Sequence, residues 1–194
     1  MNKNTIIVTG GAGFVASNLI RLLLSKTKFQ IMSIDNYSSG LKKNHVKSKR
    51  VKYLKGDTKN INVLIKTPKR IHSVFHFGEF ARIYQSFINM NECIESNTIG
   101  TNSVFNFCLK HRIKLIYSAT SASLGNKGND KNLSPYAFTK AKNLELLENL
   151  KKWFRFKYEV IYFYNVYGPG QISKGKMATV IGIFEEAFKK KKPL

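Results

Sequence analysis

Six short segments rich in apolar residues recur along the chain, and polar or turn-forming residues bound each of them. Runs of this length and composition are typical of strands that are buried on both faces of a sheet. They cover residues 5–8, 29–34, 51–54, 73–77, 114–118 and 158–164. The pattern therefore predicts six strands.

Longer segments between these runs carry apolar residues at helical spacing. They cover residues 14–25, 91–110, 135–154 and 178–192. The third has a clear start, because Ser134 can cap a helix and Pro135 suits the first helical position. Strands that alternate with helices predict an α/β fold, with a doubly wound parallel sheet covered by helices on both faces. We expect one domain over residues 1–194.

The charge balance is strongly basic, with a formal net charge of +22. The basic residues are widely spread, and no helix-turn-helix, zinc-finger or aromatic RNA-binding motif accompanies them. We interpret the charge mainly as solvated surface that can also attract phosphorylated ligands. No specific nucleic-acid partner is expected.

The chain has no sequence signal for a membrane or for export. No apolar stretch approaches the ~18–20 residues needed to cross a bilayer, and residues 1–4 lack a signal-peptide shape. Cys93 and Cys108 have neither metal-ligand spacing nor the pattern of a disulfide framework. These features predict a cytoplasmic protein with no membrane partner and no metal site.

A glycine-rich turn joins the first predicted strand to the first helix. Gly10, Gly13 and Ala16 have the spacing that permits a tight turn, close approach of a pyrophosphate and close helix–strand packing, respectively. The N-terminus of the helix then offers free amide groups to an anion. The turn predicts a Rossmann-type dinucleotide-binding fold, and the alternative is a structural turn without a ligand.

Asp35 closes the second strand, 22 residues beyond Gly13. A carboxylate there can accept hydrogen bonds from the adenosine ribose and would repel a 2′-phosphate, so NAD is favoured over NADP. Asn36 follows, where an NADP enzyme would often carry an arginine. Asp57 and Thr58, after the third strand, are further cofactor-binding candidates. For both aspartates, the alternative is a carboxylate that only stabilises a turn.

Tyr136 and Lys140 are one helical turn apart, so both project from one face of the predicted helix. A free tyrosine, with a pKa of about 10, is a poor base at neutral pH. A neighbouring ammonium and the positive ring of NAD+ would favour the phenolate. Together with the glycine-rich turn, the pair predicts a nicotinamide-cofactor enzyme. The alternative is a tyrosine packed on the sheet beside a solvated lysine.

With these residues placed, the chain resembles the extended short-chain dehydrogenase/reductases. Within them it is most similar to the NAD-dependent epimerase/dehydratase family and its UDP-glucose 4-epimerase-like members. The resemblance covers essentially the whole chain. It rests on Thr9-Gly10-Gly11-Ala12-Gly13-Phe14-Val15, Asp35-Asn36, Gly56-Asp57, His76-Phe77-Gly78, Asn97-Thr98-Ile99-Gly100-Thr101, Tyr136-x-x-x-Lys140 and Tyr164-Asn165-Val166-Tyr167-Gly168-Pro169.

The resemblance implies a role for each matching residue. The catalytic residues would be Thr120, Tyr136 and Lys140, with Ser118 and Ser121 as competitors for the hydroxyl role. The cofactor would contact Gly10, Gly13, Phe14, Val15, Asp35, Asn36, Asp57, Thr58, Phe77, Gly78, Asn97, Tyr136 and Lys140. Asn97 would either touch the cofactor or support the active-site backbone. The substrate would contact Thr120, Tyr136 and Asn165.

The resemblance implies epimerisation of a nucleotide sugar, with UDP-glucose and UDP-galactose as the expected substrates. Tyr136 would take a proton from a sugar hydroxyl while the adjacent carbon gives hydride to NAD+, and the hydride would return on the other face. Dehydratases and decarboxylases of the family usually carry an acid beside the catalytic Thr or Ser. Here Thr120 is followed by Ser121-Ala122-Ser123, and Glu79 comes from a different loop. A heptose epimerase, dehydratase, decarboxylase or reductase is the alternative.

The family's sugar-binding lobe lies mostly beyond the point where this sequence ends, so we expect that lobe to be largely absent. A fragment, a truncated product and a remainder supplied elsewhere are alternatives, as is a non-catalytic NAD-binding module. The resemblance also implies a homodimer formed through the helix at 91–110 and the Tyr136 helix. Their apolar stripes could equally face the home sheet: Val104, Phe107, Cys108, Leu144, Leu147 and Leu150.

Overall fold

The computed structural model of the chain describes residues 4–175 and 178–193. Residues 1–3 and Leu194 lie outside the described residues. Residues 1–3 are part of the segment that was predicted to lack a signal-peptide shape. All six predicted strands are present. They are β1 Thr5–Thr9, β2 Gln30–Asp35, β3 Val51–Lys55, β4 Ile71–His76, β5 Lys114–Thr120 and β6 Tyr158–Phe163.

The strands form one parallel sheet with the order β3-β2-β1-β4-β5-β6. The chain runs outward in one direction from β1 to β3 and in the other from β4 to β6. A crevice opens outside the carboxyl ends of the strands where this order reverses, between β1 and β4. The predicted doubly wound sheet of the Rossmann type is confirmed.

Helices cover the sheet. They are α1 Phe14–Lys26, α2 Ile61–Leu64, α3 Ile83–Ile88, α4 Met90–Ile94, α5 Thr101–Lys110, α6 Pro135–Phe154 and α7 Val180–Lys189. The predicted helix at 91–110 is a helical run in which the π-helical turn Glu95–Gly100 separates α4 from α5. Gly100 lies against the turn that precedes α2, since a Cβ there would come 2.5 Å from Thr58 Oγ1. Within the described residues, none of the helices is both long and apolar enough to cross a bilayer.

The central strand β1 is buried along its whole length. Ile7 packs into one core cluster with α5 and α6, whereas Ile6 and Val8 pack into a second cluster with α1. Successive side chains of a strand point to opposite faces, so these two clusters lie on the two sides of the sheet. The near-continuous apolar sequence of the strand follows from this double burial.

The apolar stripes of α5 and α6 face the home sheet. Five of the six residues considered for a dimer surface are buried in the core and the sixth packs against it: Val104, Phe107, Cys108, Leu147, Leu150 and, partly buried, Leu144. Of the two predicted roles, core packing is therefore the one that the fold supports. Other apolar side chains are exposed on α4, on the π-helical turn and on α6, among them Ile94, Ile99, Phe138 and Trp153.

Candidate functional site

The glycine-rich turn lies at the switch point between β1 and β4. Gly10 has a φ of +70°, and a Cβ on it would come 2.7 Å from the carbonyl oxygen of Phe77. A Cβ on Gly78 would come 2.9 Å from the amide nitrogen of Gly10. The absence of a side chain at Gly10 and Gly78 therefore allows the backbone after β1 to lie close to the backbone after β4. The positive φ of residue 10 also favours glycine at that position.

Gly13 forms the N-cap of α1, and no side chain caps the helix there. The first amide groups of an α-helix have no partner within the helix, so those of α1 are available to an anion. A Cβ on Gly13 would meet only the carbonyl oxygen of Gly10, at 3.0 Å, among the described atoms. The space above the turn is thus an open cradle, and its donors and shape fit a pyrophosphate.

The carboxylate of Asp35 is buried beside this cradle. It accepts hydrogen bonds from the backbone amide of Ala12, at 2.9 Å, and from that of Tyr37, at 2.8 Å. These bonds fix the glycine turn to the loop after β2, which is the structural role considered for Asp35. A carboxylate has about four lone-pair sites, so Asp35 keeps acceptor capacity for ribose hydroxyls.

One cleft of about 1510 Å³ runs along the carboxyl ends of the strands. Every candidate site residue except Asn97 lines it: Gly10, Gly13, Phe14, Val15, Asp35, Asn36, Asp57, Thr58, Phe77, Gly78, Thr120, Tyr136, Lys140 and Asn165. The fold therefore gathers residues from several strand ends and two helices at one place. The binding and catalytic roles of these residues remain predictions.

The start of α6 positions the Tyr136/Lys140 pair. Ser134 is the N-cap, and its hydroxyl oxygen accepts a hydrogen bond from the amide of Ala137 at 3.0 Å. The helix holds Tyr136 in a half-buried position and Lys140 in a buried one, a turn further into the protein. The two side chains therefore differ in their access to the cleft: the tyrosine lies nearer to solvent than the lysine.

Thr120 is the last residue of β5, whereas the sequence pattern placed it two residues beyond the strand. The strand is longer than predicted because its pairing with β6 continues as far as Thr120 and Phe163. The competing hydroxyl of Ser118 is already bonded, since it donates to the carbonyl oxygen of His76 at 2.9 Å. Ser121 begins a short 3-10 turn after the strand. The hydroxyl oxygen of Thr120 accepts from the amide of Ala122 at 3.3 Å, and all three residues line the cleft, so the choice of Thr120 stays a prediction.

Asn97 is fully buried in the π-helical turn and does not line the cleft. Its side-chain oxygen accepts from the amide of Phe80 at 2.7 Å, and its side-chain nitrogen donates to the carbonyl oxygen of Phe80 at 3.1 Å. The same nitrogen also donates to the hydroxyl oxygen of Thr139 on α6, at 3.2 Å. Of the two roles implied for Asn97, the structure supports the one of bracing the cleft backbone.

Glu79 is a residue of the site that the sequence interpretation set aside. It follows β4 and forms an ion pair with Lys140, and the exposed fractions of the two side chains are 1% and 4%. Its signal in the sequence was a carboxylate directly after a buried strand, at the edge of the sheet where ligands bind. The partner could not be recognised from that signal, because 61 positions separate the two residues.

A chain of buried hydrogen bonds runs from the glycine turn to Glu79. Thr9 Oγ1 accepts from the backbone amides of residues 77–78, at 3.0 and 2.9 Å, and therefore donates to His76 Nδ1 at 2.8 Å. His76 Nε2 then donates to Thr101 Oγ1 at 3.0 Å, and Thr101 donates to Glu79 at 2.9 Å. This order requires a neutral imidazole. The pKa of His76 is lowered to about 4, chiefly by burial; the Glu79 charge opposes this shift and the Lys140 charge contributes to it.

The fold and the cleft define a Rossmann-type dinucleotide-binding protein with a Tyr/Lys pair at the cofactor cleft. The sequence model of the NAD dependent epimerase/dehydratase family matches residues 6–194, and the chain belongs to that family. The family resemblance predicted from the motifs is therefore confirmed, and NAD is the cofactor by which the family is defined. The glycine cradle and the Asp35 carboxylate fit this cofactor.

Individual relatives are similar over most of this chain. The ADP-L-glycero-D-manno-heptose-6-epimerase of Brachyspira hyodysenteriae is 30% identical over 190 residues, which is 90% of this chain and 58% of the relative. The UDP-N-acetylglucosamine 4-epimerase of Methanobrevibacter ruminantium, solved with UDP-N-acetylmuramic acid, is 26% identical with a TM-score of 0.85. That match covers 99% of this chain and 64% of the solved one.

A third relative was solved with the cofactor. The UDP-glucose 4-epimerase of Thermus thermophilus, in complex with NAD, is 25% identical with a TM-score of 0.82. The match covers 98% of this chain and 64% of the solved one. The chain thus spans about three fifths of the length of these relatives, between 58% and 64%.

Proposed function

We propose that this chain is a nucleotide-sugar epimerase that uses NAD, of the UDP-glucose/UDP-galactose 4-epimerase type. One observation carries the proposal: the glycine cradle, Asp35, Thr120 and the Tyr136/Lys140 pair converge on a single cleft. Similarity to an NAD-bound 4-epimerase supports it. A non-catalytic NAD-binding module is the weaker alternative, because it would not need the tyrosine and lysine.

Different residues of this chain would contact different parts of the cofactor. The α1 amides and Gly13 would hold the pyrophosphate, and Asp35 would accept hydrogen bonds from the adenosine ribose. Asn36, which donates to Asp57 at 3.0 Å, would line the adenine end with Thr58. The remaining contacts would come from Phe14, Val15, Phe77, Gly78, Tyr136 and Lys140. Asn97 would act indirectly, through the backbone of Phe80.

The proposed chemistry is proton removal by the protein paired with reversible hydride transfer. NAD would supply the hydride acceptor and return the hydride to the sugar. Tyr136 would remove the proton of the sugar hydroxyl and give it back, as a general base and then a general acid. Thr120 would hydrogen-bond the same sugar oxygen, and Asn165, exposed on the cleft rim, would contact the nucleotide-sugar phosphates.

Epimerisation is favoured over elimination by the surroundings of Thr120. The 3-10 turn Ser121–Ser123 that follows it carries no carboxylate. Glu79 does not replace the missing acid, because its carboxylate is buried in an ion pair with Lys140 and is 1% exposed. A group with that burial is poorly placed to protonate a departing sugar hydroxyl.

A heptose 6-epimerase is the second candidate, because the 30% identical relative is an ADP-L-glycero-D-manno-heptose-6-epimerase. A panel of nucleotide sugars separates the two. Purified chain is incubated with UDP-galactose, UDP-N-acetylglucosamine and ADP-D-glycero-D-manno-heptose, and the products are followed by NMR. Conversion of a UDP-hexose supports the first proposal, and conversion of the heptose supports the second. Bound NAD without conversion of any sugar would overturn both.

The glycine cradle provides a test of cofactor binding. Gly13→Ala places a methyl group in the open cradle and is expected to weaken NAD binding about tenfold, with a small loss of stability. Gly10→Ala is the contrast: its Cβ would meet backbone atoms at a positive φ, so it is expected to lower the melting temperature. Calorimetric NAD titration and thermal unfolding measure the two effects. Unchanged NAD affinity in Gly13→Ala would argue against this placement of the pyrophosphate.

A homodimer is also proposed. Since the buried stripes of α5 and α6 are occupied by the core, the contact would use exposed apolar residues such as Ile94, Ile99 and Trp153. The mass of the particle in solution, measured by light scattering, decides between one copy and two.

A further inference from the structure

The ion pair between Glu79 and Lys140 lies at the wall of the proposed nicotinamide end of the cleft. Both residues line the cleft, yet their side chains are almost completely withdrawn from water, with exposed fractions of 1% and 4%. Charges in such a position are weakly screened and act strongly on their surroundings. The charges of this ion pair therefore contribute to the electrostatic potential in the cleft.

All three N–H donors of Lys140 have partners within the protein. They are the carboxylate of Glu79, the carbonyl oxygen of Ser118 at 2.5 Å and the hydroxyl oxygen of Ser118 at 3.3 Å. The ammonium is thus held between the loop after β4 and the strand β5. The 3.3 Å bond is the longest of the three and is the one that a ribose hydroxyl would most easily replace.

Glu79 is surrounded by donors. Besides Lys140, its carboxylate accepts from Thr101 at 2.9 Å, Tyr117 at 3.1 Å and Asn143 at 3.4 Å. This is the set of partners that an ionised carboxylate requires, since it can accept hydrogen bonds but donate none. These hydrogen bonds hold the carboxylate in place.

Two titratable groups packed against the pair, His76 and Tyr117, add no charge at neutral pH. Burial lowers the pKa of His76 to about 4, and burial, together with the Glu79 charge, raises the pKa of Tyr117 well above its usual value. The balance of charge within this buried cluster is therefore set by the carboxylate and the ammonium, while Arg82 also lines the cleft near Tyr136. Removal of either one leaves a single buried charge.

The oxidised nicotinamide ring carries a positive charge that the reduced ring lacks. An unopposed ammonium beside the ring would favour the reduced form, and a balanced ion pair would not. We propose that Glu79 is a positioning residue that balances the Lys140 charge and so sets the relative affinity of the site for oxidised and reduced NAD. This inference rests on the proposed binding of NAD with its nicotinamide near Lys140.

The test is the ratio of the dissociation constants of NAD+ and NADH, measured by calorimetry on protein stripped of nucleotide. In Glu79→Gln the ratio is expected to rise about tenfold in favour of NADH, as expected for one charge at short range in a partly shielded site. Lys140→Met is expected to shift the ratio the other way. The double variant, with both charges removed, is expected to return it towards the wild-type value.

Glu145→Gln serves as the matched control. Glu145 forms an exposed ion pair with Lys142 at 2.7 Å on the same helix, outside the cleft. The ratio of the NAD+ and NADH dissociation constants of this variant should equal that of the wild type. If Glu79→Gln weakened the binding of NAD+ and of NADH equally and left the ratio of their dissociation constants unchanged, its role would be merely structural and the inference would be overturned. If Glu79→Gln does not fold, an unchanged ratio in Lys140→Met and the double variant would overturn it. Failure of the wild type to bind either nucleotide would instead overturn the proposed function.

Discussion

Tyr136→Phe is expected to lower sugar turnover about 10³-fold, which is within the usual contribution of a general acid–base group. The substitution removes one oxygen and keeps the ring, so α6 and the ion pair of Lys140 should be unaffected. NAD affinity should therefore change by no more than about threefold, because the phenol makes at most one of the many cofactor contacts. Steady-state kinetics and nucleotide titration on the same preparation measure both quantities.

Tyr84→Phe is the control for this change. Tyr84 lies on α3 with 73% of its surface exposed, and it does not line the cleft. Its activity should match that of the wild type. If Tyr136→Phe retained most of the activity, a different group would have to remove the proton, and the catalytic assignment of Tyr136 would be wrong.

His76 is expected to make the protein less stable as the pH falls from about 6.5 to about 4. Because its pKa is about 4 in the folded protein and about 6.5 in the unfolded chain, the unfolded chain binds more protons between these values. The stabilising contribution is complete above pH 6.5 and is lost through this window. The shift corresponds to a loss in the free energy of unfolding on the order of 3 kcal/mol, or roughly a few hundredfold in the unfolding equilibrium.

The physical cause is the order of the buried hydrogen bonds. A protonated imidazole would direct an N–H at Thr9 Oγ1, whose lone pairs already accept two backbone amides. In urea denaturation, His76→Asn should lose less stability than the wild type between pH 6.5 and 4. His72→Asn, on the exposed face of the same strand, should follow the wild type. A parallel pH dependence in His76→Asn and the wild type would contradict the assignment.

The fold was predictable because its signals are local. Each strand is a short apolar run. The turn from β1 to α1 is marked by Gly10, which suits a positive φ, and the end of β2 is marked by the carboxylate of Asp35. The parallel arrangement then follows from the alternation of strands and helices. Strand ends were predicted less well. Thr120 belongs to β5 because pairing with β6 extends that strand, and a pairing partner is not visible in a local pattern.

The electrostatic part of the site could not be predicted for the same reason. A carboxylate in a loop is usually exposed, and the burial of Glu79 depends on Lys140, Tyr117 and Asn143, which come from later elements of the chain. Asn97 was left open between two roles until its contacts with Phe80 were known. Motifs therefore identified which residues surround the cleft, whereas the tertiary contacts show how those residues are held.

The most direct test of the proposed mechanism is the fate of the hydrogen on the reacting sugar carbon. UDP-galactose that carries deuterium at C4 is incubated with the chain in ordinary water, and the UDP-glucose formed is analysed by mass spectrometry. Reversible hydride transfer to bound NAD predicts that the product keeps its deuterium and that no NADH accumulates in solution. Replacement of the deuterium by solvent hydrogen, or the absence of any product, would contradict the proposed 4-epimerase.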